Sequence, residues 1–218
     1  MDPEVPLELP RGRHRLSRSV VAGSQRQRLL AAMADVVAEK GYARTTAAAV
    51  YSRAGVSSKA FYENFADKEA CFLAAYDEGV EAFSRRVGDR ALATQGNPRA
   101  AFGVLLEAYL TEMAAQRSFA RTFLIEVYAA GPAALARRVE VHTRFVDLAE
   151  RLLSAQRGVR GRRVAQDRRA AVEALVAAIT FLVTMRVASD ELAELPGLLP
   201  TLNELVPRLC PWVTEASS

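Results

Sequence analysis

Cysteine and histidine are scarce in this 218-residue sequence, which holds two of each. Cys71 and Cys210 lie far apart with no neighbouring metal-ligand spacing, so neither a disulfide framework nor a zinc site is predicted. His142 likewise has no partner at metal-ligand spacing. We therefore expect no metal and no cofactor, and a reducing cytoplasmic environment suits such a chain.

Long apolar runs and export signals are also missing. Residues Met1 to Pro10 are acidic and proline-rich, which argues against a secretory signal. The longest uncharged run, Ala174 to Met185, is shorter than the roughly 20 residues that span a bilayer. The sequence predicts a soluble, cytoplasmic protein with no membrane partner.

Patterns typical of catalysis are not found. The sequence contains no His-Glu-x-x-His and no arrangement of serine, histidine and aspartate that places a nucleophile beside a base. The segment Arg157 to Arg163 is rich in arginine and glycine, but it lacks the preceding strand and the Lys-Ser/Thr pair of a phosphate-binding loop. We expect a solvated connection there, no catalytic residue, and a protein that is not an enzyme.

The positive charge is concentrated near the amino terminus. The whole sequence carries +4, and residues 1–68 account for all of it with 11 basic against 7 acidic side chains. Between Arg11 and Tyr62, ten basic side chains face only Asp35 and Glu39. A local surplus of this kind favours a polyanionic partner such as nucleic acid.

The sequence indicates an all-α fold, because alanine and leucine are abundant and alternating β-branched runs are scarce. We predict a flexible basic arm over residues 1–23, a three-helix helix-turn-helix DNA-binding domain over 24–66, and a helical bundle for ligand binding and dimerisation over 67–218. A capping box at Ser24 and Gln27 predicts the start of the first helix. The later helices are predicted over about 68–93, 97–116, from a cap at Ser118 to Gly131, then 132–156, 165–188 and 200–213.

The most informative stretch runs from Thr45 to Lys68. Thr45 or Thr46 can cap a short helix that ends at Gly55, and Ser57 or Ser58 can cap another that ends near Phe65. Two short helices that meet at a glycine are typical of a helix-turn-helix. Phe61 and Phe65 are then expected to pack inward, which leaves a polar face suited to DNA. That face consists of Ser57, Ser58, Lys59, Tyr62 and Glu63. A plain three-helix packing unit is the alternative.

This stretch resembles the amino-terminal signature of the tetracycline-repressor (TetR) family of regulators. The resemblance covers about Gln25 to Tyr76 and rests on the following motifs: Gly41-Tyr42, Thr45-Thr46, Ala54-Gly55-Val56-Ser57, Phe61-Tyr62, Phe65 and Lys68-Glu69. Asn64 departs from it, since histidine is common there, and so does Tyr51, where a small residue is usual.

The resemblance implies a homodimer on a palindromic double-stranded DNA operator, and repression relieved by a small apolar or amphipathic effector. It also implies that Thr45, Thr46, Tyr62 and Lys68 contact phosphates, while Ser58 and Lys59 lie nearest to base edges. Ser57 and Asn64 complete the expected contact set, with Asn64 able to bond phosphate or adenine. The basic arm from Arg11 to Arg18 either enters the minor groove or is a solubilising tail.

Aromatic and apolar side chains of the middle helices are candidates for a ligand pocket, although any one of them more often belongs to the core. They are Phe102, Tyr109, Met113, Phe119, Phe123, Tyr128, His142 and Phe145.

The last two long helices carry more apolar side chains than one buried stripe needs, which favours a four-helix dimer interface over burial within the monomer. The predicted interface residues are Leu175, Ile179, Leu182, Met185, Leu202 and Leu205.

Two functions fit these features. The first is a repressor that an effector releases from DNA. In this case the long helix from Lys68 transmits the movement between the helical bundle and the DNA-binding domain. The second is an architectural or constitutive DNA-binding regulator whose body only dimerises. A sizeable closed apolar cavity would favour the first, and a solid core the second.

Overall fold

The computed structural model describes residues 18–92, 98–153 and 162–213. Within these ranges the regular structure is entirely helical, as predicted. The helices are α1 (Arg18–Lys40), α2 (Ala47–Arg53), α3 (Ser58–Asn64), α4 (Lys68–Leu92), α5 (Pro98–Ala115), α6 (Arg117–Leu124), α7 (Pro132–Leu153), α8 (Arg162–Ala188) and α9 (Leu199–Leu209). Short 3-10 turns cover Glu126–Ala129, Leu192–Leu198 and Pro211–Val213.

The first helix begins at Arg18, so the predicted start at Ser24 is wrong. Ser24 is fully buried and its hydroxyl has no hydrogen-bond partner, so it does not act as a cap. The rest of the predicted arm, including the basic residues from Arg11, lies outside the described residues.

Helices α1 to α3 form a small unit, the reading unit, around a shared apolar core. Leu29, Met33, Val50 and Phe61 are all fully buried there. Gly41 ends α1 with φ +78°, a left-handed conformation that costs glycine little and other residues more.

Helix α4 carries the chain out of this unit and into the body. The Asp67 carboxylate accepts a hydrogen bond from the Ala70 backbone N–H at 2.8 Å and caps the helix. Further along, Phe72, Phe83 and Val87 are buried, and α4 packs against α5 and α7. One helix therefore belongs to both the reading unit and the body.

Helix α6 makes a second connection between the two regions, because it packs directly on α1. The Thr122 hydroxyl donates to the Ala34 carbonyl at 3.4 Å, and the Glu126 carboxylate accepts from the Tyr42 backbone N–H at 2.9 Å. The helix begins at Arg117, with Gln116 at the cap position, so the predicted cap at Ser118 is wrong.

The remaining helices differ little from the predicted ones. Gly131, at φ +96°, and Pro132 separate α7 from the preceding turn as expected. The predicted loop from Arg157 to Arg163 lies outside the described residues up to position 161. Its last two residues are helical because α8 begins at Arg162, so that part of the prediction is wrong.

Helix α8 is long and apolar enough over Gln166–Ala188 to cross a membrane, by length and composition alone, and about a third of that stretch is buried in the chain. The core helix of a soluble protein passes the same test.

Candidate DNA-binding surface and ligand cavity

The helix-turn-helix is built by two side-chain caps and one glycine. The Thr46 hydroxyl accepts from the Ala49 N–H and the Ser57 hydroxyl from the Ala60 N–H, each at 3.2 Å, which fixes the starts of α2 and α3. Gly55, with φ +61°, turns the chain between them. These local signals allowed the motif to be predicted from the sequence.

Helix α3 has an apolar side and a polar side. Ala60 and Phe61 are buried, and Phe65 packs against Phe61 with ring centroids 5.9 Å apart. The predicted reading face is exposed at Ser57, Ser58, Lys59, Tyr62 and Glu63. Lys59 and Glu63 lie 3.8 Å apart in a largely exposed pair, so little holds the Lys59 ammonium away from DNA.

Three of the predicted contact residues have other partners within the chain. Thr45 is 2% exposed and its hydroxyl donates to the Gly41 carbonyl at 2.9 Å, so it is a buried structural residue and not an accessible contact. The half-buried Asn64 donates to the Ala60 carbonyl at 2.8 Å. The Lys68 ammonium donates to the Tyr42 carbonyl at 3.2 Å and lies 4.2 Å from the centre of the Tyr42 ring, which leaves it two further protons to donate.

Arg44 is a basic residue in the connection between α1 and α2 that was not among the predicted contact residues. Its side chain is exposed next to Thr46 and donates to the Lys40 carbonyl at 2.7 Å. The local charge surplus was the available signal. Arg53, by contrast, pairs with both carboxylate oxygens of Glu39 at 2.7 and 2.8 Å, and this pairing lowers the pKa of Glu39.

The body contains a mostly apolar cavity of about 60 Å³ between α4, α5, α6, α7 and α8. Five of the predicted pocket residues line it: Phe102, Tyr109, Phe123, His142 and Phe145. Burial raises the pKa of Tyr109 to about 12, so its phenol stays protonated. The pKa of His142 is lowered, first by burial and then by the positive charge of Arg138, which favours the neutral imidazole.

The other three predicted pocket residues lie elsewhere. Met113 is fully buried in the core, and Phe119 stacks between Phe83 and Phe123 with centroid distances of 5.1 and 5.2 Å. Tyr128 is 62% exposed, because the 3-10 turn after α6 directs it to solvent.

Among the lining residues that were not predicted from the sequence, Arg138 is the one that carries a charge. It stands on α7 with His142, Phe145 and Ala149 at spacings of four, three and four residues, all lining the cavity. That helical spacing was visible in the sequence and could have identified it.

A second space of about 200 Å³ lies between α4 and α7. It shares Val87 and Phe145 with the first cavity, and its lining includes Glu81, Arg144 and Arg151. The half-buried Phe145 thus stands between an apolar compartment and a charged one.

The predicted dimer residues divide into two groups. Leu175 and Leu202 are fully buried in the monomer, and Ile179 lines the cavity, so these three do not belong to an exposed interface. Leu182 and Met185 are exposed and Leu205 is half-buried. Phe181, 62% exposed, was not among the selected residues and is the largest apolar side chain on this face.

A recognition helix with an exposed polar face, joined by a shared long helix to a helical body, defines the class of helix-turn-helix DNA-binding regulators. A family model described as "Bacterial regulatory proteins, tetR family" matches residues 29–75, which contain α2, α3 and the start of α4. Over these residues the chain is similar to the DNA-binding part of tetR-family regulators, and it is a DNA-binding transcriptional regulator. Among curated protein sequences, none matches it.

Solved structures show the same fold at low sequence identity. The fatty acid degradation regulator FadR from Bacillus halodurans superposes with a TM-score of 0.71 at 19% identity, covering 85% of this chain and 94% of that one. FadR from Bacillus subtilis, solved in complex with stearoyl-CoA, gives 0.68 at 17% identity, covering 84% and 97%. A TetR-like regulator from Rhodococcus sp. RHA1 gives 0.66 at 23% identity, covering 94% and 100%.

Proposed function

We propose that this chain is a homodimeric repressor of a palindromic operator, released when a small apolar or amphipathic molecule binds in the body. The observation that carries the DNA-binding part is the two-sided helix α3, whose apolar side is fixed by Phe61 and Phe65 while its polar side is free. A helix held in this way can enter the major groove without unfolding its own domain.

The exposed residues of this unit divide by their chemistry. Thr46 and Ser57 stand at helix starts and, with the Tyr62 phenol, suit phosphate oxygens. Ser58 and Lys59 lie on the first turn of α3, where base edges are reached. Asn64 and Lys68 retain free donors for a phosphate. We place the boundary between reading domain and body near residue 66, just before α4.

The dimer is proposed to form through the exposed face of α8. Apolar or small side chains are exposed there at Ala170, Ala174, Ala177, Phe181, Met185 and Ala188, spaced three or four residues apart. This continuous stripe is suited to packing a second helix, and Leu182 and the half-buried Leu205 extend it towards α9. A second copy would cover the apolar face that makes α8 resemble a membrane span, so we also propose a soluble, cytoplasmic protein.

Two helices connect the cavity to the reading unit. Val87 lines the cavity on α4, the helix that begins at Lys68 beside α3. Phe123 lines it on α6, and its neighbour Thr122 contacts the α1 backbone. A ligand that displaces either helix shifts α1 to α3, which provides the roughly 1–3 kcal/mol of coupling typical between two sites.

The volume of the cavity limits the effector. A ligand such as the stearoyl-CoA bound by FadR of Bacillus subtilis is far larger than a cavity of about 60 Å³. We propose a smaller amphipathic effector, or an acyl chain accommodated when Phe145 moves and joins the cavity to the adjoining space. The small volume also favours the alternative of a constitutive regulator without effector.

The experiment that tests this function is selection of bound sequences from a random double-stranded DNA pool, with the protein's mass in solution measured by light scattering. The expected result is a dimer that enriches a palindrome with half-sites about one helical turn apart. A monomeric mass would contradict the proposed interface. Binding without sequence enrichment, fading uniformly with salt, would favour the architectural alternative.

A further inference from the structure

Arg138 places a positive charge inside the body. The residue is 8% exposed, lines the 60 Å³ cavity from α7, and its guanidinium carbon lies 5.2 Å from the centre of the Phe123 ring. Burial of a charged side chain is rare unless the charge is paired. The face of the Phe123 ring replaces only part of the stabilisation that water would give the guanidinium charge.

Within the part of the chain that the structure describes, the Arg138 guanidinium has no carboxylate at ion-pair distance, and its buried Nε has no hydrogen-bond partner. The adjacent Arg137 shows the contrast, since its Nε lies 2.8 Å from the Asp77 carboxylate. Arg169 likewise pairs with Asp147 and Glu150. Arg138 is thus a buried cation that lines a cavity and whose Nε has no acceptor among the described residues.

The rest of the lining sets the shape of a complementary ligand. Leu105, Leu106, Val176 and Ile179 provide apolar walls, with the aromatic rings of Phe102 and Phe145 between them. His142 is held towards its neutral form, so it adds a hydrogen-bonding group and no second charge. One positive charge in an apolar cavity matches a ligand with one negative charge and an apolar tail.

We propose that this cavity binds a small amphipathic monocarboxylate, with the carboxylate on the Arg138 guanidinium and the apolar tail among the leucine, valine and isoleucine side chains. This assignment rests on the proposed function, whose effector site it specifies. A guanidinium can hold both carboxylate oxygens through two parallel hydrogen bonds. This ion pair is strongest where water is excluded. A bound carboxylate would draw the guanidinium away from the Phe123 ring on α6, and the tail would displace Val87 on α4. Both helices contact the DNA-binding unit, so either movement would reach it.

The proposal is tested by calorimetric binding of octanoate and 1-octanol to the full-length protein. Octanoate is expected to bind about tenfold or more tightly than 1-octanol, because only the carboxylate satisfies the buried charge. In Arg138→Gln that preference is expected to disappear, and Arg138→Lys is expected to restore it in part. The matched control is Arg117→Gln, an exposed arginine at the start of α6 that pairs with Asp190, lines neither space and should leave octanoate affinity unchanged.

Equal affinity for the two probes in the unmodified protein would overturn the proposal, as would loss of octanoate binding in Arg117→Gln alone. Arg138→Met supplies a measurement that needs no ligand. Replacing an unpaired buried charge by an apolar side chain of similar length should raise the melting temperature, whereas a lowered one would mean that Arg138 is already satisfied in the fold.

The operator selected above separates this proposal from the broader one. If octanoate binds through Arg138 and leaves operator affinity unchanged, the carboxylate site stands and effector release fails. If 1-octanol or octanoyl-CoA releases the operator equally well in Arg138→Gln, effector release stands and the carboxylate site fails.

Discussion

Helices α2 and α3 differ from the body in where their unpartnered polar side chains lie. In α2 and α3 the core is apolar at Val50 and Phe61, and the unpaired polar groups face solvent. In the body an arginine and a histidine face an internal cavity, and the Nε of Arg138 has no partner. From this difference we expect the partner of α2 and α3 to be a large polyanion outside the protein, and the partner of the body to be a small molecule in the cavity.

The largest expected effect separates the two sides of α3. Phe61→Ala removes a fully buried ring and should cost about 3–5 kcal/mol of stability, because a cavity replaces its packing. Its neighbour Tyr62 is 57% exposed, so Tyr62→Ala should change stability by less than about 0.5 kcal/mol and weaken operator binding. Denaturant unfolding and fluorescence anisotropy on the selected operator measure the two quantities. Similar loss of stability in both variants would contradict the two-sided description of the helix.

Local signals explain why the reading unit could be predicted from the sequence. Thr46, Ser57 and Gly55 act on backbone groups within a few residues of themselves, so their roles are written in short stretches of sequence. Thr45 shows the limit of such reasoning. Its hydroxyl bonds back to Gly41, and only the folded turn decides whether Thr45 or Thr46 faces solvent.

The body could be predicted as helical but not in its details. The apolar side chains of α8 point to the core at Leu175, to the cavity at Ile179 and to solvent at Phe181, and which is which depends on the neighbouring helices. Arg138 was not predicted to line the cavity, because charged residues on helices are usually solvated and its burial depends on tertiary packing.

A smaller effect is expected from removing one charge of the reading face. Lys59→Ala should weaken operator binding by about 1–3 kcal/mol if Lys59 meets a base edge, or lower the salt dependence by about one unit if it meets a phosphate. The matched control is Arg85→Ala in α4, which breaks an exposed pair with Glu81 of the same i, i+4 spacing. Anisotropy titrations at several salt concentrations should show no change for the control. A loss of similar size in both variants would assign the effect to overall charge.

The smallest expected effect is the pH response of the body. Burial, and then the Arg138 charge, lowers the pKa of His142 in the folded chain, while Glu173 opposes them. Below the ordinary pKa of 6.5 the unfolded chain therefore takes up the proton more readily than the folded one, so stability is lost as the pH falls through that value towards the folded pKa. His142→Gln should flatten the loss of melting temperature between about pH 7.5 and 5.5, the range in which histidine titrates. If His142→Gln keeps the full slope, the acid sensitivity arises outside the cavity, and the imidazole is not held neutral by its buried position beside Arg138.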